Sequence, residues 1–199
     1  MKLPSKPLVA IAVSAMLALP SVATAGGDIT SVNKSIRIDA SESVGDVESV
    51  NGSIRVGDSA VVTSITSVNG SIDIGEDAQI EDNIEAVNGA VEMARGSEAG
   101  GSIETVNGTI KLYEANVGGH VQSYNGGIRL LDGTVIGGDV VVRKPKGYSS
   151  SKRKPVKVEI GENVKVLGDL IFEHPVELRL HDSAKVGEVI GEDIKRIDS

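Results

Sequence analysis

The feature that most constrains the fold of this chain is a five-residue motif that begins with Val or Ile, ends with Asn and recurs six times. The six asparagines follow one another at intervals of 18 or 19 residues: Asn33, Asn51, Asn69, Asn88, Asn107 and Asn125. Self-similarity at a fixed short period is the signature of a repeat architecture in which each repeat packs on the next. The sequence therefore predicts a stack of like coils.

Residue types within one repeat indicate strands. In the second repeat the apolar residues are Val47, Val50, Ile54, Val56, Ala60 and Val62. Their spacings, two within pairs and three or four between pairs, do not form the sustained i, i+3, i+4, i+7 stripe of a helix. Beyond residue 25 the chain has 42 Val and Ile residues but only 7 Leu, and β-branched side chains suit a pleated surface. We predict an all-β fold, a single-stranded parallel β-helix (β-solenoid) of about eight coils of 18–19 residues, with those six side chains in the core.

The dipeptide Asn-Gly ends the motif in five of the six repeats, and Lys34 replaces the glycine in the first. Asn-Gly is a hairpin signal, but an antiparallel meander gives no reason for one invariable turn at a strict period. We interpret it as a recurrent corner, where glycine tolerates the positive φ of a sharp turn. Corners that lie above one another would place the six asparagines in one column, where their amides can hydrogen-bond as a ladder.

The C-terminal third repeats a second corner. The segment 57–62, Gly-Asp-Ser-Ala-Val-Val, has counterparts at 161–166 and 181–186. We predict a seventh and an eighth coil there, so that one β-solenoid domain covers residues 26–199. A basic insertion over residues 143–155 interrupts the seventh coil, and a charged tail after residue 186 is expected to close the end.

Stacking also predicts a row of outward charges. The residue between two apolar strand residues is charged in all eight predicted coils: Arg37, Arg55, Asp73, Glu92, Lys111, Arg129, Glu159 and Arg179. In this order they form four neighbouring pairs of opposite charge: Arg55 with Asp73, Glu92 with Lys111, Arg129 with Glu159, and Glu159 with Arg179. Exposed pairs of this kind contribute only about 0.2–1 kcal/mol each, but they favour one register over a slipped one.

The first 25 residues have the features of an export signal. Two lysines precede an uncharged apolar run over residues 8–19, and the small residues Ala23-Thr24-Ala25 follow. This order is typical of a secretory signal peptide with cleavage between Ala25 and Gly26. The apolar run is too short to span a bilayer as a helix, and no later stretch is longer. We expect an exported chain, in the periplasm or on the outer surface of a bacterium, with no transmembrane span beyond residue 25.

The amino-acid composition argues against several classes of function. The formal net charge is −8 and only 2% of residues are aromatic, whereas nucleic-acid-binding proteins carry basic faces and stacking aromatics. The absence of Cys excludes thiolate metal sites and Cys nucleophiles. His120, His174 and His181 lack metal-ligand spacing and are expected at the surface, and no Gly-x-Ser-x-Gly elbow occurs. We predict no catalytic residues, no cofactor, no metal and no nucleic-acid partner, and therefore no enzyme.

Basic residues concentrate in the insertion: Lys144, Lys146, Lys152, Arg153 and Lys154. No acidic residue occurs between Asp139 and Glu159. A basic segment on an acidic rod can contact an anionic surface such as lipid headgroups or a cell-wall polymer. The alternative is a solvated insertion without a ligand, because insertions in repeat proteins fall outside the stacked core.

Coils of the pattern V-x-S-V-N-G-S-I-x-I behind an export signal resemble a bacterial adhesin family of β-strand-repeat proteins of unknown function. The later segment 161–170, Gly-Glu-Asn-Val-Lys-Val-Leu-Gly-Asp-Leu, is similar to the polymer-forming bactofilins. Together the resemblances cover residues 29 to about 190. They imply a β-solenoid that attaches to a surface or assembles end to end as a scaffold. The export signal departs from the bactofilin pattern, because bactofilins face the cytoplasm.

Two hypotheses for function follow. The first is a non-enzymatic exported structural or surface-interaction protein of the bacterial envelope, an adhesin or scaffold, with end-to-end self-association through an uncovered terminal coil. The alternative is a polysaccharide-binding or lyase-like β-helix protein, since flat parallel faces can align with repeating sugars. Sugar platforms usually need exposed aromatics, and the chain has only Tyr113, Tyr124, Tyr148 and Phe172. Residue content therefore favours the first.

Overall fold

A computed structural model describes residues 26–144 and 154–197 of the chain. These residues contain no helix, and they wind into a single-stranded parallel β-helix of about eight turns. The predicted all-β solenoid is confirmed. The predicted signal peptide over residues 1–25 lies outside the described residues, as does the segment 145–153 of the basic insertion.

The strands form three parallel sheets, here named A, B and C. Sheet A consists of β1 (Ile29–Ser31), β4 (Val47–Asn51), β7 (Ile65–Asn69), β10 (Ile84–Asn88), β13 (Ile103–Thr105), β16 (Val121–Ser123), β19 (Val140–Val142), β22 (Leu170–Phe172) and β24 (Val189–Gly191). Sheet B consists of β2 (Ile36–Ile38), β5 (Ile54–Val56), β8 (Ile72–Ile74), β11 (Val91–Met93), β14 (Ile110–Tyr113), β17 (Ile128–Leu131), β20 (Val156–Ile160), β23 (Val176–Leu180) and β25 (Ile194–Ile197). Sheet C consists of β3 (Ser43–Val44), β6 (Val61–Val62), β9 (Gln79–Ile80), β12 (Glu98–Ala99), β15 (Asn116–Val117), β18 (Val135–Ile136) and β21 (Lys165–Val166).

Neighbouring strands in each sheet come from successive coils and pair in register. Ile65 pairs with Ile84, for example, and Asn69 pairs with Asn88. Equivalent side chains therefore stand in columns that run along the rod, with about 4.8 Å between one coil and the next. Each column repeats one kind of contact many times.

The core is formed by aliphatic side chains that point inward from all three sheets. Ile54, Ile72, Ile110 and Ile128 occupy one such column and have no solvent exposure. Burial of a side chain of this size contributes roughly 1.5–3 kcal/mol. One coil cannot cover its own ring of apolar side chains, so this stabilisation is gained only when coils stack.

One position of the repeat faces the opposite way from the prediction. Ser49 is buried, with 2% exposure, whereas Val50 is half-buried on the outer face, so the prediction that Val50 lies in the core is wrong. Strand alternation explains the difference, because Val47 points inward and Ser49 follows two residues later. The Ser49 hydroxyl donates to the Gly52 carbonyl at 2.9 Å, and the same bond recurs in the third and sixth coils. The buried hydroxyl is thereby satisfied and fixes the corner.

The glycines of the Asn-Gly corners have a role other than the predicted one. They are Gly52, Gly70, Gly89, Gly108 and Gly126. None of them has a positive φ. A Cβ on any of the five would instead lie less than 3.0 Å from backbone atoms of the coil before it. Close approach between coils therefore selects glycine, and Lys34 can carry a side chain because no coil precedes the first one within the described residues.

Apart from Gly26 before β1, the positive φ angles lie at the corner between sheets B and C. Positive φ angles occur there at Ser41, Ser59, Asp77, Gly96, Glu114, Asp132, Gly133 and Asn163. Most of these are residue types that adopt this conformation at least cost. The second corner of the repeat is therefore the one that requires a positive φ.

The charged segment after residue 186 extends the solenoid. β24 pairs with β22 and β25 pairs with β23, so this segment forms part of a ninth coil in sheets A and B. Val189 and Ile194 pack against the core. The end of the rod is thus formed by strands, where a separate charged tail was expected.

Replacing Gly89 by Ala should lower the free energy of unfolding by about 1–3 kcal/mol, because the new methyl group would press on the carbonyl of Gly70. Urea denaturation followed by circular dichroism measures the change. Lys34→Ala changes the same column in the first coil and should stay within about 0.5 kcal/mol of the parent protein. Equal losses in the two variants would contradict the role assigned to glycine.

Candidate functional site

The residues predicted to contact anions are only partly described. Lys144 and Lys154 are exposed and border the segment 145–153, which lies outside the described residues. Lys146, Lys152 and Arg153 lie outside the described residues, as does Ala25 of the predicted cleavage site, whereas Gly26 is the first residue described. In chain order the insertion lies between β19 of sheet A and β20 of sheet B.

The six motif asparagines form one continuous ladder at the corner between sheets A and B. Each Nδ2 donates to the Oδ1 of the asparagine one coil earlier, at 3.2, 2.9, 3.0, 2.9 and 2.8 Å from Asn51 to Asn125. A carboxamide suits this position because it is donor and acceptor at once. The ladder joins coils to one another.

The Asn88→Ala substitution should lower the free energy of unfolding by about 1–3 kcal/mol, because Asn88 bonds to both Asn69 and Asn107 and each bond contributes roughly 0.5–1.5 kcal/mol. Asn33→Ala is the matched control. Asn33 stands at the start of the ladder and accepts one bond, from Asn51, so its loss should be about half as large. Chemical denaturation of both variants measures the ratio, and equal losses would argue against the ladder bonds as the source of the stabilisation.

A second polar column, at the corner between sheets C and A, was not predicted. In it a side-chain acceptor of one coil takes the backbone N–H of the equivalent residue in the next coil, at 2.8–3.0 Å. The acceptors are Asp28, Asn83, Ser102, His120, Asp139 and Asp169. A recurrent Asp, Asn, Ser or His directly before the first strand of each of the first eight coils was the available signal. The three aspartates of this column, Asp28, Asp139 and Asp169, therefore link neighbouring coils.

The histidines lie in three different settings. His120 belongs to the second polar column, where its Nδ1 accepts the N–H of Asp139 at 2.8 Å. His174 is 8% exposed, so the expectation of a surface position is wrong for this residue. The Nδ1 of His181 lies 2.8 Å from the hydroxyl of Ser183. Across residues 26–144 and 154–197, no group of three or more acidic or histidine side chains is placed to hold a metal ion.

The charged row on sheet B forms the four predicted pairs. Arg55 lies 3.5 Å from Asp73, and Lys111 lies 3.5 Å from Glu92. Glu159 accepts from Arg129 at 2.8 Å and lies 3.7 Å from Arg179. The predicted pairing is confirmed. Like charges also stand side by side in this row, as Arg37 beside Arg55 and Lys111 beside Arg129.

Sheet A presents two outward columns whose character changes along the rod. The first is polar in six coils and apolar in the next three: Thr30, Glu48, Thr66, Glu85, Glu104 and Gln122, then Val141, Ile171 and Ile190. The second begins with Val in five coils and continues with Tyr124, Arg143 and Glu173. The change falls in coils six and seven, next to the insertion.

Five side chains meet where these columns change, and we call them the outer-face cluster: Glu104, Gln122, Tyr124, Arg143 and Glu173. Gln122 Nε2 donates to Glu104 Oε1 at 2.6 Å. Arg143 Nε donates to Gln122 Oε1 at 2.8 Å, and its Nη1 lies 3.2 Å from Glu173 Oε1. Tyr124 hydrogen-bonds Glu104. The cluster offers carboxylate, amide, phenol and guanidinium groups on one flat face.

Carboxyl groups on this face are partly removed from water. Burial raises the pKa of Glu104, although the bond from Gln122 and the charge of Arg143 oppose the rise. The pKa of Glu85 is raised by burial first, and then by the charges of Glu104 and Asp82. Burial also raises the pKa of Tyr124. Glu85 thus stands beside acidic groups, and no described cation offsets their charge.

Glu85→Gln should stabilise the protein at pH 7. A carboxyl whose pKa is raised by folding binds more protons in the native state, so stability falls as pH rises above the ordinary carboxyl pKa of 4.5. The gain should shrink as pH falls towards and below that value. Thermal unfolding across pH measures it, with an expected rise of a few degrees in Tm at pH 7. Glu48→Gln, between Thr30 and Thr66 in the same column, should give no such gain.

No helix in the described parts of the chain is long and apolar enough to cross a membrane. No protein-family model, no curated protein and no solved structure matches the chain. The proposal for its function therefore rests on the geometry and chemistry of the described residues.

Proposed function

We propose that this chain is an exported, non-enzymatic rod of the bacterial envelope, which acts as a scaffold or surface-interaction protein of the adhesin type. The leader-like first 25 residues support export to the periplasm or the outer surface. Its partners are a polyanion of the envelope and, in the scaffold version, further copies of the chain. The two ends of the rod differ in how well they suit the second kind of partner.

The observation that most supports a contact function is that the recurrent polar side chains are bonded within the stack, either to the neighbouring coil or, for the serines, to the corner of their own coil. The motif asparagines pair with one another, the motif serines bond to corner carbonyls, and the acceptors before sheet A bond to backbone N–H groups. Groups that a catalytic site would use are thus occupied in stacking. The outer faces remain for contact with partners.

The distribution of charge along the rod supports an anionic partner near the insertion. Residues 26–142 contain 18 acidic and 6 basic residues, whereas residues 143–199 contain 12 basic and 10 acidic ones. Because coils stack in chain order, this difference in sequence becomes a difference along the axis. A phosphate-rich surface would be repelled by the first part and attracted by the insertion. Lys144 and Lys154 are exposed at its two ends.

Replacing the five basic residues Lys144, Lys146, Lys152, Arg153 and Lys154 by Gln should weaken binding to anionic surfaces at least tenfold, since each such charge contributes about 1 kcal/mol near an anionic bilayer. Co-sedimentation with vesicles of phosphatidylglycerol and phosphatidylcholine measures the loss, and purified wall polymer provides a second arm. The matched control removes five bases from the other part of the rod: Lys34, Arg37, Arg55, Lys111 and Arg129. An equal loss in the control would count against the insertion as the contact.

A second candidate function is polysaccharide binding, which the outer-face cluster favours. Tyr124 provides an aromatic surface beside the carboxylate of Glu104 and the amide of Gln122, groups that hydrogen-bond sugar hydroxyls. The experiment above separates the two candidates when a glycan array is added. Glycan binding that survives neutralisation of the insertion but is lost in Tyr124→Ala would replace the first proposal by the second.

A further inference from the structure

In the last coil, a charged residue takes the place of the aliphatic side chains that fill one inward column in the eight coils before it. On sheet B this column consists of Ile36, Ile54, Ile72, Val91, Ile110, Ile128, Val158 and Leu178, all of them buried. Arg196 pairs with Leu178 and therefore occupies the ninth place. It is exposed and forms no ion pair with any described residue.

In the same coil, a glycine leaves one inward position of sheet A without a side chain. Gly191 pairs with Phe172, the bulkiest residue of that column. A Cβ at Gly191 would lie 2.8 Å from the carbonyl oxygen of Phe172, so the two backbones are too close for a side chain at this position. Phe172 itself is 4% exposed.

The first coil has no such break. Ile36, Ile38 and Val44 occupy its inward positions, as aliphatic residues do in the middle of the rod. The N-terminal edge thus has the side chains of an interior coil, whereas the C-terminal edge has a guanidinium and a glycine. Charges at inward positions are a known means of preventing sheet edges from adding further strands.

We propose that the ninth coil is a cap, in which Arg196 prevents the N-terminal edge of a second copy from adding to the C-terminal edge of the first. In such an assembly Ile36 of the incoming copy would stack on Arg196, as each residue of the column stacks on the one before it. The guanidinium would be enclosed by aliphatic side chains. Burial of a charge without a partner outweighs the gain from apolar contact.

Among residues 26–144 and 154–197, the nearby acidic groups do not relieve that cost. Glu177 is paired with Lys195 at 3.7 Å, on the outer side of sheet B. Glu192 and Asp193 precede β25 and are exposed. The cap rests on the geometry of the last coil. It opposes the end-to-end scaffold version of the proposed function and leaves the surface-interaction version unaffected.

The Arg196→Ile substitution continues the aliphatic column and should convert the closed edge into an adhesive one. The processed protein, purified from an expressing bacterium, should stay monomeric across the concentration range, whereas the variant should at least double its weight-average mass at the highest concentration. Light scattering coupled to size exclusion measures both. Arg196→Lys retains the charge and should behave as the parent protein does.

A double variant identifies the surface that docks. Ile36→Lys places a charge in the same column of the first coil, so Ile36→Lys combined with Arg196→Ile should restore the monomer if copies join N-terminal edge to C-terminal edge. Circular dichroism establishes that each variant is folded, and Arg196→Ala replaces Arg196→Ile if the latter does not fold. A parent protein that already assembles through this edge, or an uncharged variant that stays monomeric, would overturn the proposal.

Discussion

In this rod each side chain stands about 4.8 Å from its counterpart in the next coil, because backbone hydrogen bonds join parallel strands in all three sheets. At this separation a column is favourable when its side chains can pack or bond against similar side chains of the next coil. Isoleucines pack, carboxamides pair as donor and acceptor, and several opposite charges form pairs. Where two backbones come closer, as at Gly70 and Gly89, no side chain is accepted at all.

The same constraint separates the residues that build the stack from those that can meet a partner. Positions that repeat, such as the motif asparagines, contribute their polar groups to the next coil. Positions that break a column do not repeat one contact along the rod, although Gln122 and Arg143 still bond to side chains of adjacent coils. The outward columns of sheet A change around Tyr124 and Arg143, and the inward column of sheet B ends at Arg196. These breaks are where the proposed contacts and the proposed cap lie.

Much of the fold could be predicted from the repeat, but little of the candidate site. Glu104, Gln122 and Arg143 belong to three successive coils and lie 18 and 21 residues apart. No local motif connects them, and each is unremarkable in its own repeat. They become neighbours only through stacking, so a search for motifs along the chain does not find them. The acceptor column before sheet A was missed for a related reason, since Asp at a corner is equally typical of an ordinary turn.

The sequence by itself determined the period, the parallel stacking and the ladder positions, because a fixed interval between like residues permits only one register in which like meets like. Only the tertiary structure decided which way each side chain points near a corner and what each glycine is for. Ser49 faces the core and Val50 faces outward because strand alternation continues up to the corner. The Asn-Gly glycines are required by the distance between coils, and a distance between separate turns of chain is not encoded in any one of them.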